Sequence, residues 1–239
     1  MRIWSKYLAA LQYKRRYRTP RLKPDCFRIL CYGDSNTWGY VPGAGIRFSA
    51  KVRWSGVLQR RLGRNAIVFE EGFCGRTTVW EDPTAPGRNG YSALMPILKH
   101  YAPLDLIIIS LGTNDLKARF DQSAISIANG AKRLCHKAQT SDSGRAGAAP
   151  DILLVAPPPI TQLTSPVRVE FEGAPPKSKL LGKYFSDIAS QLKIHFLDSA
   201  EYIKPSIEDP IHWDGAAHHI FGQIIGDRVE QILSNKKVA

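Results

Sequence analysis

The chain has 239 residues, 44% of them hydrophobic and 23% charged, with a net charge of +12. That balance is ordinary for a globular protein and sets aside disordered and fibrous classes, and no run of about 18 apolar residues offers a membrane span. Length alone leaves one large domain or two small ones open.

Residues 1–24 come first and explain most of the charge. Arg2, Lys6, Lys14, Arg15, Arg16, Arg18, Arg21 and Lys23 stand there with no acidic residue, which leaves a mildly basic body. Charge gathered in one terminus, with no basic and aromatic motif in the body, argues against nucleic acid as a partner. Ser5, Lys6, Gln12 and Lys14 interrupt the leader, so it lacks the continuous apolar core of a secretory signal. Trp4, Tyr7, Leu8 and Leu11 can share one face of a short helix. The leader therefore reads as a mobile arm or subunit contact, with an anionic membrane surface or a targeting peptide as alternatives. Residues 25–239 are expected to form the domain.

Along that domain, apolar runs predict strands over 27–32, 66–71, 105–111, 151–156 and 194–198. Helical periodicity separates them at 54–62, 124–137 and 180–192, and a last helix-like stretch covers 216–233. Strands alternating with helices predict a parallel sheet in a three-layer α/β/α sandwich. Segments 80–89 and 157–177, rich in proline, are expected to run over the surface as long ordered excursions, 80–89 being the candidate subunit contact. Segment 140–150, rich in Ser, Gly and Ala, is expected to be a flexible link. Cys26, Cys31, Cys74 and Cys135 show no C-x-x-C spacing and read as reduced thiols of a cytoplasmic protein. Cys74 is weighed as a nucleophile because it stands beside Gly75, but nothing near it in sequence supplies a base.

The chemistry concentrates just after the strands. Gly33-Asp34-Ser35 follows the first run, Gly75 the second and Gly112-Thr113-Asn114-Asp115 the third, while Asp209-Pro210-Ile211-His212 lies beyond the last. A serine hydroxyl is a weak nucleophile until a base takes its proton, and the base works best with a carboxylate on its other nitrogen. Ser35, His212 and Asp209 can fill these roles, Asp214 and Glu208 being rival acids. Asp214 is also placed to cap the helix that follows. Ser35 taken alone is as readily a helix cap or a phosphate contact. The backbone amides of Ser35 and Gly75 and the side chain of Asn114 are candidate oxyanion donors, with turn or capping roles as the duller reading of Gly75, Asn114 and Asp115. Trp38, Tyr40, Trp54, Trp80 and Trp213 stand near these blocks and could line an apolar pocket or belong to the core or an interface, Trp38 and Trp213, each within three residues of a catalytic candidate, being the candidates for substrate contact. Arg53 and Arg76 are expected to pair with Asp34 or Glu71. No spacing suggests a metal or a nucleotide cofactor.

These four blocks, in this order, resemble the SGNH, or GDSL-type, hydrolases. Further matches at Gly33–Gly39, Val52-Arg53-Trp54, Glu70-Glu71-Gly72, Gly75-Arg76-Thr77-Thr78, Leu111–Lys117 and Ala156-Pro157-Pro158-Pro159 resemble the bacterial arylesterase and acyltransferase branch. The resemblance implies a flavodoxin-like five-stranded sheet of order 2-1-3-4-5, Ser35 as nucleophile, His212 as base, Asp209 as its partner, and Gly75 and Asn114 as oxyanion donors. It further implies a small ester as substrate, a homo-oligomer, and hydrolysis of short acyl esters or transfer of the acyl group to an alcohol or peroxide. Asn36 departs from the leucine common in that branch, and Pro210 with Trp213 departs from its usual wording around the base. The rivals are a catalytically silent ligand-binding relative and a surface protein acting through its basic leader.

Overall fold

The computed structural model describes residues 26–160, 163 and 167–236, so the basic leader lies outside the described residues. In chain order the elements are β1 (Phe27–Gly33), α1 (Ser35–Trp38), α2 (Trp54–Leu62), β2 (Ala66–Gly72), α3 (Gly90–Tyr101) and β3 (Leu106–Ser110). They continue with α4 (Ala124–Gln139), β4 (Asp151–Ala156), α5 (Val167–Glu170), α6 (Ala174–Ser178), α7 (Leu181–Leu192), β5 (His195–Asp198) and α8 (Gly215–Lys236). The strands form one five-stranded sheet of order β2-β1-β3-β4-β5, parallel at every pairing.

Side-chain alternation sorts the core into two halves. Leu30, Tyr32, Ile107, Ile109, Ile152 and Leu154 face one side, where Leu94 and Leu98 of α3, Ile127 and Leu134 of α4, and Leu181 and Phe185 of α7 cover them. Ile29, Cys31, Leu106, Ile108, Leu153 and Val155 face the other, under Trp54 and Leu58 of α2 and Phe221, Ile225 and Val229 of α8. Every residue of β3 is buried, as a central strand covered on both faces requires. That burial is why the run reads as continuously apolar rather than alternating.

Chain order and spatial order part company at β1. The chain leaves β1 outward to β2 and returns past it to β3, so the crevice between the carboxyl ends of β1 and β3 is where a ligand is expected in such a sheet. Register brings Gly33 level with Gly72 on one side and with Ser110 on the other. The turns that follow these three residues are thereby held side by side.

Two expectations need correction. Segment 140–150 is a packed connector, not a flexible link: Ser141 and Ser143 are buried, Leu104 N–H donates to Ser143 O at 2.7 Å, and Arg145 pairs with Asp105 at 2.6 Å. The helix α3 is absent from the periodicity reading, because Pro96 sits inside it and Gly90 opens it. Asn89 caps α3 by accepting the Ser92 N–H at 3.1 Å. The 157–177 excursion carries the short helix α5 and most of α6. Among the described residues no helix is long and apolar enough to cross a membrane.

Candidate active site

The site is built on the turn after β1. Gly33 ends the strand, and Asp34 caps α1 by accepting the Asn36 N–H at 2.9 Å. Ser35 thus becomes the first residue of a one-turn helix, 4% exposed. Such a strand-to-helix turn lifts a side chain out of the sheet's carboxyl edge and holds it there.

The histidine arrives from the far end of the chain. The loop between β5 and α8 folds back over the crevice, and Ser35 Oγ lies 2.9 Å from His212 Nε2. His212 Nδ1 lies 2.6 Å from Asp209 Oδ2. The turn that makes this possible is local: Asp209 Oδ1 accepts the Ile211 N–H at 3.1 Å, and His212 N–H donates to Asp209 O at 3.2 Å. One carboxyl oxygen shapes the turn while the other is left for the imidazole. Burial pushes the Asp209 carboxyl up, but the His212 hydrogen bond and charge outweigh it and hold it below the usual range. The rival acids lie elsewhere. Glu208 is exposed, and Asp214 caps α8 by accepting the Ala217 N–H at 2.8 Å.

Two further turns close the crevice. After β2, Phe73 N–H donates to Gly33 O at 3.1 Å, which ties the next loop to the serine turn. Gly75 in that loop has φ +81, and an added Cβ would fall 1.8 Å from Arg88 Nη1. Glycine supplies the backbone angle, whereas the mobile end of the Arg88 side chain could give way. After β3, Asn114 is 5% exposed and its Nδ2 donates to Arg76 O at 3.2 Å. A side-chain amide nitrogen has two hydrogens, so one remains to serve a ligand. Asp115 joins the same two loops by accepting from both the N–H and the hydroxyl of Thr78.

The surroundings are rich in buried charge. Burial pushes the Asp34 carboxyl up to about 6, against the lowering effect of the Asn36 N–H. Burial likewise raises Asp115 to about 7, opposed by the Thr78 hydrogen bonds. Arg76, 5% exposed, donates to the carbonyls of Gly33 and Glu71 and stacks over Tyr32 at 4.3 Å. It is a backbone clamp, whereas Arg53 pairs with Glu70 and not with Asp34 or Glu71. The Cys74 thiol is pushed up by burial and by the Asp34 charge, which opposes a thiolate role.

The aromatic expectations divide. Trp213 is 1% exposed and packs against Phe221 and His218 at centroid distances of 4.8 and 5.5 Å. This corrects its expected substrate contact: just before α8 its ring is packed into the core. Trp38 is half-buried with the Arg47 guanidinium 5.5 Å over its ring. Tyr40 stacks on His212 with ring centroids 4.1 Å apart and planes at 25°.

Residues 31–220 match the GDSL-like lipase/acylhydrolase family. The aryl esterase of M. smegmatis is 40% identical, with a TM-score of 0.84 over 87% of this chain and 100% of that one. A carbohydrate acetylesterase from Sinorhizobium meliloti is 35% identical, with a TM-score of 0.84 over 86% and 99%. A carbohydrate acetylesterase family member from the same organism is 34% identical, with a TM-score of 0.83 over 87% and 99%. No curated protein matches the chain.

Proposed function

The chain belongs to the GDSL-like lipase/acylhydrolase family and is a carboxylic ester hydrolase, and from that premise we propose that it cleaves short-chain, acetyl-like esters through an acyl-enzyme on Ser35. The observation that carries the reading is the continuous relay from Ser35 Oγ through His212 to Asp209, at 2.9 and 2.6 Å.

In this reading His212 Nε2 takes the Ser35 hydroxyl proton as Oγ attacks the ester carbonyl. Nδ1–H remains on Asp209, whose anionic form balances the imidazolium. The oxyanion meets the N–H groups of Ser35 and Gly75 and the free Nδ2 hydrogen of Asn114. Collapse expels the alkoxide, which receives the proton from His212. Water then gives a proton to the same nitrogen as it attacks the acyl carbonyl, and His212 returns that proton to Ser35 Oγ as the acyl–Oγ bond breaks and the acid leaves. An alcohol or peroxide in the place of water would carry the acyl group away instead.

Short acyl groups are favoured because two of the similar structures are of carbohydrate acetylesterase type and another is an aryl esterase. The proposal also includes reduced cysteines in a cytoplasmic protein, and self-association through segment 80–89. Hydrolysis of p-nitrophenyl acetate and octanoate by the intact protein and by Ser35→Ala tests the chemistry. Fast acetate turnover, slow octanoate turnover and loss of both in the variant are expected. Equal rates in the two proteins would overturn the role of Ser35.

A further inference from the structure

We propose that Asn36 is a positioning residue that sets the register of His212 against Ser35, a role that rests on those two being base and nucleophile. Asn36 directly follows the nucleophile and is 3% exposed. Its Nδ2 donates to Ile211 O at 3.1 Å, and its Oδ1 accepts the Trp213 N–H at 3.1 Å. The two bonds reach 175 and 177 residues along the chain and land on the peptide groups on either side of His212.

The pairing has one sense. Turning the amide over would set Nδ2 against the Trp213 N–H and Oδ1 against the Ile211 carbonyl, so the partners dictate the orientation. The side chain therefore acts as a short length of neighbouring strand laid along the histidine loop. The loop's other backbone bonds near His212 are internal: its N–H goes to Asp209 O, and its carbonyl accepts the Ser206 N–H at 2.8 Å. These shape the loop but do not place it. Among the described residues, the hydrogen bonds joining this loop to the serine turn are the two from Asn36 and the Ser35–His212 bond itself.

Asn36 is held as firmly at its own backbone, since its N–H donates to Asp34 Oδ1 at 2.9 Å. Asp34, Ser35 and Asn36 thus form one rigid turn in which one residue carries the hydroxyl and its neighbour carries the ruler for the base. Leucine could fill the space and form neither bond. Asn36 then fixes a distance that hydrolysis depends on.

The test compares Asn36→Leu, Asn36→Asp and Ser35→Ala with the parent, using kcat and KM on p-nitrophenyl acetate, the rate of Ser35 phosphonylation by a fluorophosphonate, and thermal unfolding. In folded Asn36→Leu, kcat and the phosphonylation rate are expected to fall together by about 10- to 100-fold, as for a small misplacement of reacting groups. KM should stay within about threefold, which marks a loss confined to the chemical step. Asn36→Asp keeps an acceptor for Trp213 and loses the donor to Ile211, so it should also fall. Parent-like kcat in a folded variant, or a raised KM with unchanged kcat, would overturn the proposal. If Asn36→Leu does not fold, Asn36→Asp decides by the same criteria. Activity surviving in Ser35→Ala would instead overturn the reading on which the proposal rests.

Discussion

Asn114 shows how much one side chain can be asked to do at this site. It spends one amide hydrogen on the Arg76 carbonyl and so fixes the direction of the other, the preorganisation that its proposed role as an oxyanion donor requires. Asn114→Ala is expected to lower kcat on p-nitrophenyl acetate by about 10²- to 10³-fold. It also leaves a buried carbonyl unpaired, at a stability cost of about 1–3 kcal/mol that a thermal melt will register. An unchanged kcat would remove Asn114 from the oxyanion hole. Ser35 and Asn114 stand out in the sequence because each is a polar residue just past an apolar run, and His212 because Asp209 stands three residues before it. The contacts of Asn36 and Tyr40 do not, because they are made with a loop more than 170 residues away, and no local pattern announces these. Trp213 was misread for the same reason: adjacency to His212 in sequence says nothing of which way the ring turns.

At the scale of elements, the sheet was readable because five apolar runs each end in a turn, and the observed strand ends differ from the expected ones by one residue at most. The helix α3 escaped because a helix-breaking residue type stands within it, where tertiary burial of Leu94 and Leu98 outweighs propensity. The contact between α2 and α8 was equally invisible. There Gly222 lets the helices meet: a Cβ would fall 2.6 Å from Val57 Cβ and 2.9 Å from Trp54 O. Gly222→Val is therefore expected to destabilise the fold by about 1–3 kcal/mol or more, as overpacking does. The exposed neighbour Ile220, replaced by valine, should change it by less than about 0.5 kcal/mol. Denaturant unfolding of the two variants makes the comparison, and equal midpoints would show that α8 can shift away from α2 at little cost.

For the whole molecule, the balance of buried ionisable groups sets how stability responds to pH. The carboxyls of Asp34 and Asp115 are raised to about 6 and about 7, so the folded state keeps protons that the unfolded chain has already released. Stability from these groups is present at low pH and declines as pH rises from the ordinary carboxylate range through those values. His218 works in the opposite sense. Burial lowers it to about 4, so the unfolded chain binds its proton first and stability is lost as pH falls from about 6.5. The groups are separable by mutation. Between pH 5 and pH 8, Asp115 passes from protonated to charged in the folded state, whereas asparagine at that position stays neutral and can still accept from Thr78. The melting temperature of Asp115→Asn should therefore fall less across that interval than that of the parent. Parallel declines would mean that the carboxyl titrates as it does in water, and that its burial between the two loops is offset by the Thr78 hydrogen bonds.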